Sequence, residues 1–515
     1  MANRFWDAIK PYKTSVFIPT CIASMLANWL LLINGYGCPD NLCEGAMLYH
    51  GGDWALSLGR WVIRYINAAT LNIVLPVVNV AASIFCCCIV TILLGKLFAF
   101  SYKPFLALTS IFLATGEAVT CQYLYIYMDL AFTWALLLSA LSAYFVLTGT
   151  GRKSILFAAL ALAFALGGYQ AYVGFTAAII VITLILRLLR GESAQGCLKA
   201  AGRALLMGGV GCLLYLFFMS GMQVLYHTPM ADYSGANEVG LSNTISNLGH
   251  SLRSVYGDFV KYLLKDTNYR NLFFLPLCCI VILLCFGRTI ALVRKKGKKE
   301  AAFGLVLMIM LPLAMNLVTI ITPERSTSSL MSHQMQLLLP FLFALLEISK
   351  TTIEEKVWKS LKFVTSILST LLCWSCVLTA YATHASVAYM YQYMKAYAIP
   401  LLARVQEDGE YSSGDRILFA GLPDEEKIQS MNPLYKYSYR YRAVFWDGEY
   451  GVLTCWPRYI QYYLSMDTGF ISADEYHEVL DSEKFAEMNC YPEIDSIAKI
   501  GDIMVVKLES APPRN

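Results

Sequence analysis

Charge is what this chain has least of. Only 15% of its 515 residues are Asp, Glu, Lys or Arg, whereas 57% are hydrophobic and the mean hydropathy is +0.52. Soluble domains carry about 25% charged and about 45–50% apolar residues, so an ordinary soluble enzyme is excluded. Acidic residues are scarcest in the long first part. Residues 1–384 hold 16 Asp and Glu against 28 Lys and Arg, and residues 385–515 hold 20 against 12. The motifs of soluble catalysis are also missing: no Walker loop, no glycine fingerprint opening a helix, no zinc-protease helix and no nucleophile elbow. That absence argues against an ATP-driven pump. No basic stripe interleaved with aromatics is present, which argues against nucleic-acid binding. The six histidines are scattered without ligand spacing, so neither a metal nor another cofactor is expected. There is no internal repeat and no low-complexity tract.

What the chain has is apolar length. A spanning helix needs about 20 mostly apolar residues. Eleven stretches qualify on that scale: 14–34, 72–95, 104–121, 129–148, 154–171, 173–189, 203–224, 271–292, 302–322, 333–349 and 361–383. The expected fold is mainly α, a polytopic membrane helical bundle over residues 1–384 followed by a small extracytoplasmic α/β domain over residues 385–515. In that tail Arg416–Ala420, Tyr441–Trp446 and Ile503–Leu508 read as strands, and Tyr389–Glu407 and Ala473–Met488 as helical. Lys and Arg accumulate on the cytoplasmic side of membrane proteins. With the N-terminus inside, 21 cationic residues fall in inner segments and 7 in outer ones before residue 385. An odd number of spans then places the tail outside the cell membrane.

Candidate chemistry concentrates on the outer side. In the first outer segment Asp40 follows Pro39 a few residues beyond the first span, with Glu44 and Asp53 after it. A carboxylate fixed near the membrane surface can take the proton of an attacking sugar hydroxyl, although Pro-Asp-Asn is equally good turn chemistry. Residues 53–68 read as one amphipathic helix. Asp53, Ser57, Arg60, Arg64 and Asn67 share a face, and Trp54, Leu58, Trp61, Val62 and Tyr65 are placed for the membrane interface. Arg60 and Arg64 suit bidentate phosphate contact; the same spacing also fits arginines that merely snorkel to water. Glu117 and Asp129 flank the next outer loop, and Arg325 is the only cation of its own. Most of the sixteen cysteines lie in apolar stretches and read as packing. Cys38 with Cys43 and Cys455 with Cys490 fall on the outer side, where disulfides can form.

Taken in order along the chain, Pro39-Asp40, Leu58-Gly59-Arg60-Trp61 before the second span and Tyr169-Gln170-Ala171-Tyr172 at the end of the fifth resemble the bacterial O-antigen type glucosyltransferases. These form the Gtr type II group of membrane C-type glycosyltransferases. The likeness runs over roughly residues 10–380. It implies transfer of a hexose, typically glucose, from a polyprenyl-phosphate-linked donor to a surface glycan on the outer face of a bacterial cell membrane. It also implies Asp40 as base, with Glu44 and Asp53 as rival carboxylates. Arg60 and Arg64 would sit at the donor phosphate, and Tyr169, Gln170 and Tyr172 at the substrate; read from their own outer loops, Arg325 is a further phosphate contact or a partner of Glu324, and Glu117 a substrate contact or a structural group. Many such enzymes have a second acid beside the first, where this chain has Asn41. A lipid-linked glycan flippase or a glycan polymerase remains the competing reading of the same composition.

Overall fold

Apolar stretches become helices wherever backbone groups must be satisfied without water. A computed structural model describes residues 10–49, 52–231, 248–264, 270–296, 298–321, 329–349, 354–439 and 444–514. The chain divides into two compact units. The first comprises Met1–Trp29, Gly51–Tyr123 and Met128–Tyr381; the second comprises Leu30–His50, Leu124–Tyr127 and Ala382–Asn515.

The first unit is helical. Eight helices of the described chain are long and apolar enough to cross a membrane: Lys10–Asn34, Pro76–Leu97, Lys103–Tyr123, Ile126–Thr148, Gly151–Gly168, Gln170–Leu189, Ala194–Tyr226 and Glu355–Glu407. The other three expected stretches are helical as well. They lie over Arg270–Lys296, over Lys298–Met315 with Leu317–Ile321, and over His333–Leu337 with Leu338–Ser349, and carry the shorter apolar runs Leu272–Cys285 and His333–Ile348. Helix Ala194–Tyr226 packs along Gly151–Gly168 while leaving Leu205, Leu213, Phe217 and Val224 exposed, as a surface meant for lipid would. The fifth and sixth stretches are separate helices: Gly168 ends one, Tyr169 is extended, and a short turn over Gln170–Tyr172 opens the next. Among its buried polar side chains, Gln122, Asp129, Thr133 and His333 form one network with Tyr172.

The second unit is built on a three-stranded sheet with strands β1 (Arg416–Ala420), β2 (Ile497–Ile500) and β3 (Ile503–Lys507) in the order β1-β3-β2. β3 runs parallel to β1 and antiparallel to β2. Alternation sends side chains to opposite faces of a sheet. Accordingly Ile417, Phe419, Met504 and Val506 pack with Trp456, Tyr459 and Leu42, while Leu418, Val505 and Ile503 pack with Tyr476, Val479 and Phe485. Both faces are covered, which is why β1 and β3 read as unbroken apolar runs. Of the strand expected at Tyr441–Trp446, residues 441–443 lie outside the described residues and Val444–Trp446 is irregular. Val444 and Phe445 are buried in the core. Of the two expected helices, one belongs to Glu355–Glu407. The other is two short helices, Ala473–Leu480 and Glu483–Glu487, capped by Ser472 and Ser482.

Candidate active site

In the first unit the Leu58-Gly59-Arg60-Trp61 segment is a break and not the middle of a helix. One helix ends at Ser57 and the next, Trp61–Ala69, begins after Arg60. Gly59 has φ +77°, and a Cβ there would lie 2.4 Å from the Tyr215 hydroxyl. The expected single amphipathic helix is therefore corrected: the left-handed glycine interrupts its periodicity. The carbonyls exposed by the break are satisfied by side chains from elsewhere in the unit. Gln170 Nε2 donates to Leu58 O at 2.6 Å, and the Tyr215 hydroxyl donates to Gly59 O at 3.2 Å. Trp61 and Val62, expected at the membrane interface, are buried. Trp61 lies edge-on to Phe164 at 5.0 Å and closes on Gly167, where a Cβ would come within 2.5 Å of the indole. Trp54 and Tyr65 are exposed.

The two arginines then differ. Arg64 Nη1 is 2.9 Å from Asp53 Oδ1, and its guanidinium lies 3.8 Å from the centre of the Tyr226 ring. Arg60 lies over Tyr169 at 5.1 Å. It makes no ion pair with a described carboxylate, and its buried Nε has no hydrogen-bond partner. A half-buried guanidinium on an aromatic face with donors to spare can take a phosphate oxygen. Asp53 is exposed and paired to Arg64.

From Tyr169 polar groups continue inward. Tyr169 meets Tyr172 edge-on at 5.4 Å. The Tyr172 hydroxyl donates to Gln122 Oε1 at 3.1 Å, and Gln122 Nε2 donates to Asp129 Oδ1 and to Thr133 Oγ1. Tyr172 also stands against His333, and Ser329 Oγ donates to Glu117 Oε1. Tyr169, Gln170, Tyr172, Arg60 and Glu117 thus belong to the first unit, the first four of them linked directly or through one residue. Arg325 lies outside the described residues.

Asp40 and Glu44 belong to the second unit, on a short helix, Pro39–Glu44, whose proline is at its start and whose Asp40 is in its first turn. The helix is firmly held. Cys38 N and Asn41 Nδ2 both donate to Leu124 O, at 2.9 and 2.6 Å, and the Tyr391 hydroxyl donates to Gly37 O at 3.2 Å. Asn41 is buried, so the residue standing where a second acid was sought anchors the backbone. Burial pushes the Cys38 thiol well up, with the charge of Asp40 adding to it, and the thiol faces Asp40 Oδ2 at 3.6 Å. Burial likewise raises Glu44, reinforced by Asp40 and countered by Arg458. Asp40 itself is half-buried.

Neither of the two cysteine pairs considered above is disulfide-bonded, and Cys43 Sγ faces Cys455 Sγ at 3.6 Å. Sequence reasoning missed that contact, as it missed Gln122 and Tyr215, which carry no motif. Among the described residues no group of three or more His, Cys, Asp or Glu side chains is arranged to hold a metal ion. The family model described as Glucosyl transferase GtrII matches residues 44–345. No curated protein and no solved structure matches the chain.

Proposed function

The chain belongs to the glucosyl transferase GtrII family, and from that premise we propose that it takes a glucosyl residue from a polyprenyl-phosphate carrier and passes it to a surface glycan outside the cell membrane. In this reading the N-terminus is cytoplasmic and the acidic tail extracytoplasmic. The observation that supports it most is that two of the segments carrying the resemblance, 112 positions apart, meet in one unit. Gln170 bonds Leu58 O, and Tyr169 lies under the Arg60 guanidinium. That arrangement leaves a cation free for a phosphodiester at the point where polar groups enter an apolar bundle.

In an inverting displacement the acceptor oxygen attacks the anomeric carbon as the lipid phosphate departs from the opposite face. Phosphate is already a good leaving group, so the tasks left are binding, orientation and removal of the hydroxyl proton. Arg60 is assigned to the phosphate. Its neighbour Arg64 already answers Asp53, which makes Arg64 and Asp53 the weaker candidates for donor contact and base. Asp40 is assigned as base, with Glu44 kept as its rival carboxylate on the same short helix.

Membranes supplied with radiolabelled polyprenyl-phosphate glucose test this. General-base assistance is worth about 10²–10⁴-fold, so Asp40→Asn is expected to lose at least about 100-fold in label transferred to polymer, and Glu44→Gln and Asp53→Asn less. Near-normal turnover in all three variants would remove the base assignment. Label that only changes leaflet, in the unmodified protein, would favour a flippase and remove the transferase reading.

A further inference from the structure

The apolar stretch from 333 begins with three polar residues that the scheme above leaves unused. His333, Gln334 and Gln336 lie in the tight turn His333–Leu337 and are 0%, 0% and 1% exposed. Each keeps a buried atom without a hydrogen-bond partner: His333 Nε2, Gln334 Oε1 and Gln336 Oε1. Leaving such atoms unpaired is costly, and native proteins retain few of them without a use.

The turn is packed against residues already placed in the candidate site. His333 Nδ1 is 3.4 Å from the Tyr172 hydroxyl. Gln334 Nε2 donates to Met331 O at 2.6 Å and lies 3.5 Å from where a Cβ on Gly174 would be. Gln336 Nε2 fills the space that a Cβ on Gly116 would need, 1.8 Å away, next to Glu117. With the Tyr172 proton given to Gln122, the Tyr172 oxygen can accept from His333 in the tautomer that carries its proton on Nδ1, and in that tautomer Nε2 is the acceptor nitrogen of a neutral ring. Asp129 Oδ2 is a fourth buried atom without a partner, in the network that Gln122 shares with Tyr172 and His333.

With His333 in that tautomer, all four atoms are acceptors. An anion would be repelled by such a set, and three of the four carriers are neutral, which disfavours a cation. Groups that bring O–H donors fit it. We propose that the His333–Gln336 turn, with Tyr172 and Glu117 beside it, recognises the hydroxyl groups of the transferred hexose. This rests on the reading of the chain as a sugar transferase, and it assigns donor selectivity to residues that no motif marks.

The test compares polyprenyl-phosphate glucose with its monodeoxy analogues, in purified wild-type protein and in Gln336→Leu. Leucine is near in size and carries no acceptor. The expected result is an unchanged or higher Tm, a KM for the glucosyl donor raised about 10-fold, and loss of discrimination against one deoxy donor. Gln336→Met serves if the leucine variant does not fold. Two outcomes overturn the assignment while leaving the transferase reading intact. One is wild-type protein that accepts every monodeoxy donor as readily as glucose; the other is a variant with wild-type KM and selectivity. Wild-type protein that turns over no polyprenyl-phosphate hexose removes both.

Discussion

At the scale of single residues, Gly59 decides how the arginine segment is presented. With φ +77° and the Tyr215 hydroxyl 2.4 Å from any added Cβ, Gly59→Ala carries backbone strain of about 1–3 kcal/mol in addition to a clash. Its Tm is expected to fall by several degrees and its glucosyl transfer by about 10-fold or more. Gly202→Ala, where a Cβ meets nothing, should leave both intact. Equal behaviour of the two variants would mean that the break at Gly59 is not needed. Asp40, Arg60 and Arg64 are singled out by the sequence because an ionisable side chain beside an apolar stretch stands out. The break was not legible, because a lone glycine inside a helical pattern is usually tolerated and the spacing of Asp53, Ser57, Arg60, Arg64 and Asn67 ran straight through it. Gln334 and Gln336 were hidden for another reason. In one dimension an amide inside an apolar run looks like any other interior position, and only three-dimensional packing shows that its oxygen is left over.

At the scale of elements, the short helix Pro39–Glu44 is tied to the start of helix Trp456–Leu464, since Cys43 and Cys455 are neighbours across 412 residues. Two sulfurs at 3.6 Å need to approach to about 2.05 Å to bond, a small movement. Diamide treatment of the purified protein is expected to join Cys43 to Cys455, seen as a linked peptide pair by mass spectrometry, and to leave Cys38 and Cys490 as thiols that alkylate once the protein is denatured. A Cys38–Cys43 or Cys455–Cys490 link would contradict this arrangement. Pairing cysteines by closeness in sequence failed here because Cys38 serves the first turn of that helix while Cys43, five residues on, faces a different element. The helices, in contrast, followed the apolar stretches closely, since a run of that length in lipid has one low-energy backbone. Strands were legible at Arg416 and Ile503, where both faces are buried. β2, with Lys499 in the middle of it and all four residues only partly buried, gave no such signal.

At the scale of the whole molecule, the charge bias divides the chain into a basic membrane part and an acidic tail. Placing that tail outside has a direct check. Ser412→Cys, at an exposed position, should react with a membrane-impermeant maleimide in intact cells; reaction only after lysis would reverse the orientation. The composition made the membrane class legible at once. It did not reveal that Leu30–His50 and Leu124–Tyr127 are built into the same unit as residues 382–515, because that grouping depends on contacts such as Asn41 with Leu124 that no periodicity encodes. This grouping has a consequence for biosynthesis. The second unit joins Leu30–His50 to residues translated more than three hundred positions later, and the centre of its sheet is β3, which ends at Lys507. β1 is translated more than eighty residues before the strand it pairs with, so its apolar edge has no partner while everything between is being made. The Asp40 segment waits longer still, through the insertion of the intervening helices. Assembly of this unit is therefore a late event, and an accessory factor that shields unpaired strand edges would have most to do while residues 420–503 are being synthesised.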